Sequence, residues 1–252
     1  EWRFIVGKQF LIVVVLWIAL TVVGEILVIA LAPFLLPSVA AAEGQIVDSA
    51  FRTLMILAAP VIAFVVAMLI YSISRFRRRG DPSQDGPPLR THGPFVAIWV
   101  LVTTALTIFM IIHPGITGMA ELRAGEKREA DMVVQVEGTR WSWKMTYPQH
   151  KVTTRSELVL PVGKHVRFEV TSTDILHAFW VPAFRMKIDA VPGMVTTIYA
   201  TPNKVGAFAA DSGLRLQCAE LCGLLHDKMA VPVRVVEQKE FDAWIAQQVR
   251  VN

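Results

Sequence analysis

The 252 residues are 54% hydrophobic and 18% charged, with a mean hydropathy of +0.47 and a formal net charge of +4. That average is too apolar for an ordinary soluble domain, and two cysteines exclude both a disulfide-stapled scaffold and, with so little charge, a disordered chain. The charges are also uneven, only eight of the 25 Lys and Arg and six of the 21 Asp and Glu preceding residue 114, so the chain is not membrane bundle throughout.

Three runs, at roughly 10–32, 54–72 and 95–113, approach the about 20 mostly apolar residues that a helix needs to cross a bilayer's hydrocarbon. The first follows Arg3 and Lys8 and precedes the small residues Ser38-Val39-Ala40-Ala41-Ala42, the outline of a secretory signal with its cleavage site. It is longer than the about 7–15 residues of a signal's apolar core, so it is read as a span filling a first domain, 1–36. Glu25 lies inside it, where a charge costs about 2.5–3.5 kcal/mol at mid-helix, and is expected to face protein rather than lipid. A proton-path or subunit-contact role and a hydrogen-bonded group near the outer interface both satisfy that expectation.

The second and third spans predict a transmembrane hairpin over 50–114. Arg75, Arg77, Arg78 and Arg79 follow the second span, and positive charge stays on the cytoplasmic side. The loop 75–93 and the N-terminus are therefore cytoplasmic, and everything beyond His113 lies outside, as in the periplasm of a bacterium with this chain in its inner membrane. That outer part carries 17 basic and 15 acidic residues, too balanced to suggest nucleic acid.

Beyond residue 130, β-branched runs recur at 132–136, 157–160, 165–171, 195–199, 207–210 and 231–236, between turn sequences such as Pro-Val-Gly and Thr-Pro-Asn-Lys. They predict a small antiparallel sandwich or barrel over 130–237. Within it, an extended Glu137–Tyr147 segment would put Trp141, Trp143, Met145 and Tyr147 on one face by the period of two. A helix over 238–252 would pack on the sandwich through Phe241, Trp244, Ile245 and Val249.

The metal chemistry lies in Cys218, Cys222, His226 and Met229, a C-x3-C-x3-H-x2-M array containing both cysteines of the chain. Thiolate, imidazole and thioether together favour copper. A mononuclear blue-copper loop needs a single cysteine; two thiolates four residues apart can each bridge two ions. A binuclear centre then needs a second imidazole, for which His177, at the end of Asp174-Ile175-Leu176-His177, is the candidate. A Cys218–Cys222 disulfide or a zinc site are the alternatives, but neither uses His226 and Met229 together.

This stretch resembles the binuclear CuA site of subunit II of haem-copper oxidases of the cytochrome c oxidase type. The family motif C-x-E-x-C-G-x-x-H-x-x-M is met by Cys218, Glu220, Cys222, Gly223, His226 and Met229, and the likeness extends to Asp174–His177, Val181-Pro182 and Lys187–Gly193. It implies a cupredoxin-like Greek-key β-barrel behind transmembrane helices, and two copper ions held by His177, Cys218, Glu220 through its carbonyl, Cys222, His226 and Met229. It further implies a magnesium ion shared with subunit I at the Glu220 carboxylate, and electron input through Trp141 from cytochrome c or a small copper protein. Asp174 and Asp189 would contribute to docking that donor. Electrons would pass to haem in subunit I, for oxygen reduction coupled to proton pumping, beside other oxidase subunits in the lipid bilayer. No C-x-x-C-H occurs, so no haem is expected on this chain. Met145 and Met194 stand where the family usually has tyrosine and arginine, and no glutamate opens the third span, where His92 is the nearest titratable group. A nitric oxide reductase subunit bearing the same copper centre, or a copper-delivery protein, are the alternative functions.

Overall fold

The computed structural model describes residues 2–36, 38–77 and 91–251; Arg78, Arg79 and most of the expected cytoplasmic loop 75–93 lie outside the described residues. The chain divides into two compact units, one of residues 1–33 and 50–117, the other of residues 34–49 and 118–252.

The first unit holds α1 (Trp2–Leu35), most of α2 (Ala42–Arg75) and α3 (Gly93–Met110). All three are long and apolar enough to cross a membrane. Side chains such as Ile29 and Leu101, 68% and 70% exposed, suit lipid contact. The α1–α2 contact uses small residues, as lipid-embedded helices require where no hydrophobic effect drives them together. Gly24 lies against Ala59, Ala63 and Ala67 are buried, and the Trp17 indole N–H donates to the Pro60 carbonyl at 2.8 Å. Glu25, next to Gly24, is half-buried.

The second unit is a two-sheet domain. Its strands are β1 (Met132–Thr139), β2 (Ser142–Tyr147), β3 (Val152–Thr154), β4 (Leu158–Pro161), β5 (Val166–Ser172) and β6 (His177–Val181), followed by β7 (Met186–Ala190), β8 (Thr196–Ala200), β9 (Gly206–Ala207), β10 (Arg215–Cys218) and β11 (Ala230–Val236). One sheet runs β3-β2-β1-β5-β8 and the other β4-β11-β10-β6-β7, with β9 alongside β11. Val134, Trp143, Phe168, Phe179, Leu216 and Val235, all fully buried, help fill the core. The fold is the expected cupredoxin-like sandwich, but not wholly antiparallel: β1 pairs parallel with β5, and β4 with β11. Alternation in a sequence reports which face is buried, not which way a neighbour runs. The 207–210 run contributes to a strand only at Ala207, while β3, β6, β7 and β10 arise where no run was predicted.

A short helix α4 (Thr117–Glu126) precedes β1, and α5 (Gln238–Val251) closes the chain. Phe241, Trp244 and Ile245 are buried as expected, and Trp244 donates its indole N–H to Glu157 at 2.9 Å. Val249 is instead 57% exposed. At 3.6 residues per turn it lies about 80° round the helix from Phe241, at the margin of the apolar stripe.

The small residues after α1 have a structural use. Ala40 and Ala41 are buried, Ala40 N–H donates to Ala183 O at 2.8 Å, and Ala42 N–H donates to Thr201 O at 2.9 Å. No bulky side chain would fit where this segment clips onto the sandwich. Glu43 then accepts from the Thr201 amide at 2.7 Å and its hydroxyl at 2.8 Å, and Asp48 pairs with Arg185 at 2.6 Å.

His165 sits beneath this clip, 1% exposed and stacked on Tyr199 at 5.3 Å. Because the Thr201 hydroxyl donates to Glu43, the His165 Nδ1–H must donate to Thr201 Oγ1, 2.9 Å away. Burial, helped by Arg128, lowers the ring's pKa against the opposing pull of Glu43 and Asp131. The folded protein therefore keeps the ring neutral, while the unfolded chain protonates it near about pH 6.5. Below that pH the unfolded state binds more protons, so stability is complete above about pH 6.5 and falls as pH drops toward the lower folded value. Thermal unfolding of the solubilised protein should show this acid-side decline, and His165→Gln should flatten it; equal slopes in the two proteins would refute the assignment.

Candidate metal centre

β10 ends at Cys218 and β11 begins at Ala230, so the intervening loop carries Cys222, His226 and Met229 between two neighbouring strands. The Cys218 amide donates to the Met229 carbonyl at 2.9 Å and closes the loop. β6 pairs antiparallel with β10, Cys218 opposite Phe179, which brings His177 at the head of β6 to the same place.

The donor atoms converge. Cys218 Sγ lies 3.8 Å from His177 Nδ1, 3.7 Å from Cys222 Sγ and 3.1 Å from the Glu220 carbonyl oxygen. Cys222 Sγ lies 3.5 Å from His226 Nδ1 and 3.9 Å from Met229 Sδ. Both cysteines are free, their sulfurs 3.7 Å apart and unbonded. Among the described residues, His177, Cys218 and Cys222 form the group whose ligand atoms all fall within 4.8 Å of one another. Two thiols, two imidazoles, a thioether and a carbonyl suit a pair of soft copper ions, with one imidazole at each sulfur.

Burial pushes the Cys222 thiol up to about 11, and the adjoining Cys218 thiol adds to the rise. Metal binding must therefore expel thiol protons, and loading is favoured as pH increases.

Surrounding groups fix the ligands. Asp174 Oδ1 accepts from His177 Nε2 at 2.9 Å, so Nδ1 is the nitrogen left for a metal. Asp174 Oδ2 accepts from the Arg140 amide at 2.9 Å and its Nε at 3.0 Å. Burial alone would raise the Asp174 carboxyl; the bonds from the Arg140 amide, His177, the Ile175 amide and the Arg140 guanidinium outweigh it and hold the group well below the usual carboxylate range. Asp174, expected to contribute to donor docking, is half-buried and engaged by these bonds, whereas Asp189 is exposed on β7. Trp143 donates to the Met229 carbonyl at 3.3 Å and stands edge-on to the His177 ring at 6.1 Å. A Cβ at Gly138 would come within 3.1 Å of both rings, so a larger residue there would push on them.

Trp141, half-buried in the turn before β2, donates to the Cys222 carbonyl at 3.2 Å. Trp143, Met145 and Tyr147 share its side of the segment and are fully buried. Glu220 presents its carbonyl to Cys218 while its side chain is exposed. The supporting roles of Asp174 and Trp143 were not read from the sequence; a D-x-x-H spacing at a strand end was the signal for the first.

A family model described as cytochrome C oxidase subunit II, periplasmic domain, matches residues 149–236, a range that includes all six proposed ligand residues. The cytochrome c oxidase subunit 2 of Thermostichus vulcanus is 28% identical over 260 residues, covering 83% of this chain and 77% of its own. The subunit of the same name from Alkalihalophilus pseudofirmus is 32% identical over 199 residues, covering 76% of this chain and 56% of its own. The crystal structure of the periplasmic domain of subunit II of the Bradyrhizobium japonicum cytochrome oxidase is 34% identical, with a TM-score of 0.45 over 49% of this chain and 96% of that one.

Proposed function

We propose that this chain, which belongs to the cytochrome c oxidase subunit II family and is a membrane subunit with a periplasmic domain, is the subunit through which a haem-copper oxidase receives its electrons. In this reading a donor on the outer face, cytochrome c or a small copper protein, delivers them one at a time near Trp141. They continue to haem in subunit I, where oxygen is reduced and protons are pumped across a bacterial inner membrane. The observation that carries the reading is the convergence of Cys218, Cys222, His177, His226 and Met229 from β6, β10 and one loop.

His177, Cys218, Glu220, Cys222, His226 and Met229 would hold a pair of copper ions there, which would supply a one-electron acceptor. The chain's own residues hold that site still. Asp174 sets the His177 ring, Trp143 holds the Met229 carbonyl, and the buried rings of Trp143 and Phe179 keep water from its inner side. Such rigidity favours electron transfer, because little has to move when the charge changes. Trp141 reaches the Cys222 carbonyl directly from the surface, which suits it to electron input. Glu220 turns its carbonyl inward and leaves its carboxylate exposed, available to a magnesium ion shared with subunit I.

The test is purification of the intact complex in mild detergent, with metal analysis, electron paramagnetic resonance and gas-uptake assays. Two coppers per chain, an unpaired electron shared between two copper nuclei, and oxygen uptake with a large haem-bearing partner are expected. One copper, or zinc, would sink the binuclear site; uptake of nitric oxide without oxygen would move the subunit to the reductase alternative.

A further inference from the structure

A recess of about 600 Å3 opens on the second unit beside the end of α1. Its apolar wall is made by Phe34, Leu35 and Leu36, and Phe34 and Leu35 are 84% and 75% exposed. Phe34 and Leu35 end the apolar run Gly7–Leu35, which is long enough to cross a membrane. The chain that follows is tied to the sandwich, Ala40 N–H donating to Ala183 O and Ala42 N–H to Thr201 O. Because the sandwich is the periplasmic domain, this end of α1 lies at the outer face of the bilayer, where acyl chains give way to headgroups.

Two opposite charges line the same recess without pairing. Asn203 N–H donates to Ala40 O at 3.0 Å, which sets the adjacent Lys204 beside the chain leaving α1. Lys204 is exposed, and among the described residues its ammonium has no hydrogen-bond or ion-pair partner. Asp211 is fixed by the Ser38 hydroxyl at one oxygen and by the Gly213 amide, at 2.8 Å, at the other. An ionised carboxylate has about four acceptor positions, so about two stay open. An apolar wall, a free cation and a fixed carboxylate together match the acyl chain, phosphate and ammonium of a zwitterionic phospholipid. A headgroup without an amine would leave Asp211 unmatched, and the nitrogen of choline carries no hydrogen to donate to it.

We propose that this recess binds one outer-leaflet phospholipid with a primary-amine headgroup, a phosphatidylethanolamine. Its acyl chain lies along Phe34, Leu35 and Leu36, its phosphate meets Lys204, and its ammonium donates to Asp211. Both headgroup contacts are charge-assisted, and the tail covers side chains that would otherwise meet water. The site is separate from the copper centre and does not depend on the electron path read above.

The test uses the detergent-solubilised complex, photolabelled with a phosphatidylethanolamine that carries a diazirine in its acyl chain, with the labelled peptides located by mass spectrometry. Label is expected on the peptide containing residues 34–36. Unlabelled phosphatidylethanolamine should displace it at about tenfold lower concentration than phosphatidylglycerol or phosphatidylcholine, the factor that one charge-assisted hydrogen bond supplies. Lys204→Glu should cut the labelling about tenfold or more, since it removes the phosphate's partner and adds a like charge. Asp211→Asn keeps an oxygen for Ser38 and Gly213, and should bring phosphatidylethanolamine down to the affinity of phosphatidylcholine. Both variants should be recovered in intact complex with unchanged circular dichroism. Equal displacement by the three lipids in the wild type would overturn the proposal. So would labelling that survives Lys204→Glu, or that misses residues 34–36 because a partner protein covers the recess.

Discussion

Replacing Cys222 by serine should abolish donor-driven oxygen uptake while leaving the sandwich folded. Cys222 is the hub of the cluster, its sulfur lying within 3.9 Å of the Cys218 and Met229 sulfurs and of His226 Nδ1. A serine oxygen is harder and reaches less far, so it cannot serve as a bridging soft ligand. The loss should exceed the about 10–100-fold that removing a supporting hydrogen bond costs at a metal site. Folding should survive, because the buried Cys222 thiol titrates only at about 11 and is neutral in the metal-free protein, as serine is. Elemental analysis should find fewer than two coppers per chain, circular dichroism should be unchanged, and the partner's haem should still be reduced by a mediator that bypasses this subunit. A Cys222→Ser protein with two coppers and wild-type oxygen uptake would remove the basis for the proposed function.

The metal loop was legible because its ligands are local: Cys218, Cys222, His226 and Met229 fall within one connection between adjacent strands, and their spacing survives in the sequence. His177 was legible only as a partner the loop needed. Its actual placement depends on β6 pairing with β10, a non-local register that no short pattern records. For the same reason the parallel pairs β1·β5 and β4·β11 were missed, although most of their strands were found from alternation. The small residues 38–42 could be read as the mark of a signal; only the tertiary contacts of Ala40 and Ala41 show why large side chains are excluded. The bonds of Asp174 were hidden for a related reason. An aspartate near a metal loop looks like surface charge until the amide of Arg140, brought by the β1–β2 turn, and the ring of His177 are seen to share it.

Asp174→Ala should therefore lower copper affinity by about 10–100-fold, the usual consequence of deleting the carboxylate that supports a metal-binding histidine. Three events would follow from the one substitution. His177 would lose the acceptor that keeps its proton on Nε2, the Arg140 amide would lose its partner, and the turn that carries Trp141 would loosen. Competition against a graded series of copper chelators measures the first effect, and the rate of copper reduction by a protein donor measures the last. Asp174→Asn separates positioning from charge: it keeps an oxygen that can accept from His177 but carries no net charge, so it should retain most of the affinity that alanine loses. If Asp174 instead acts by attracting a basic donor, both variants should raise KM equally at low salt, the difference should vanish at high salt, and copper affinity should not move. Positioning thus ranks alanine below asparagine while steering leaves the two level, because a hydrogen bond needs an acceptor atom in one place while a steering field needs only the charge.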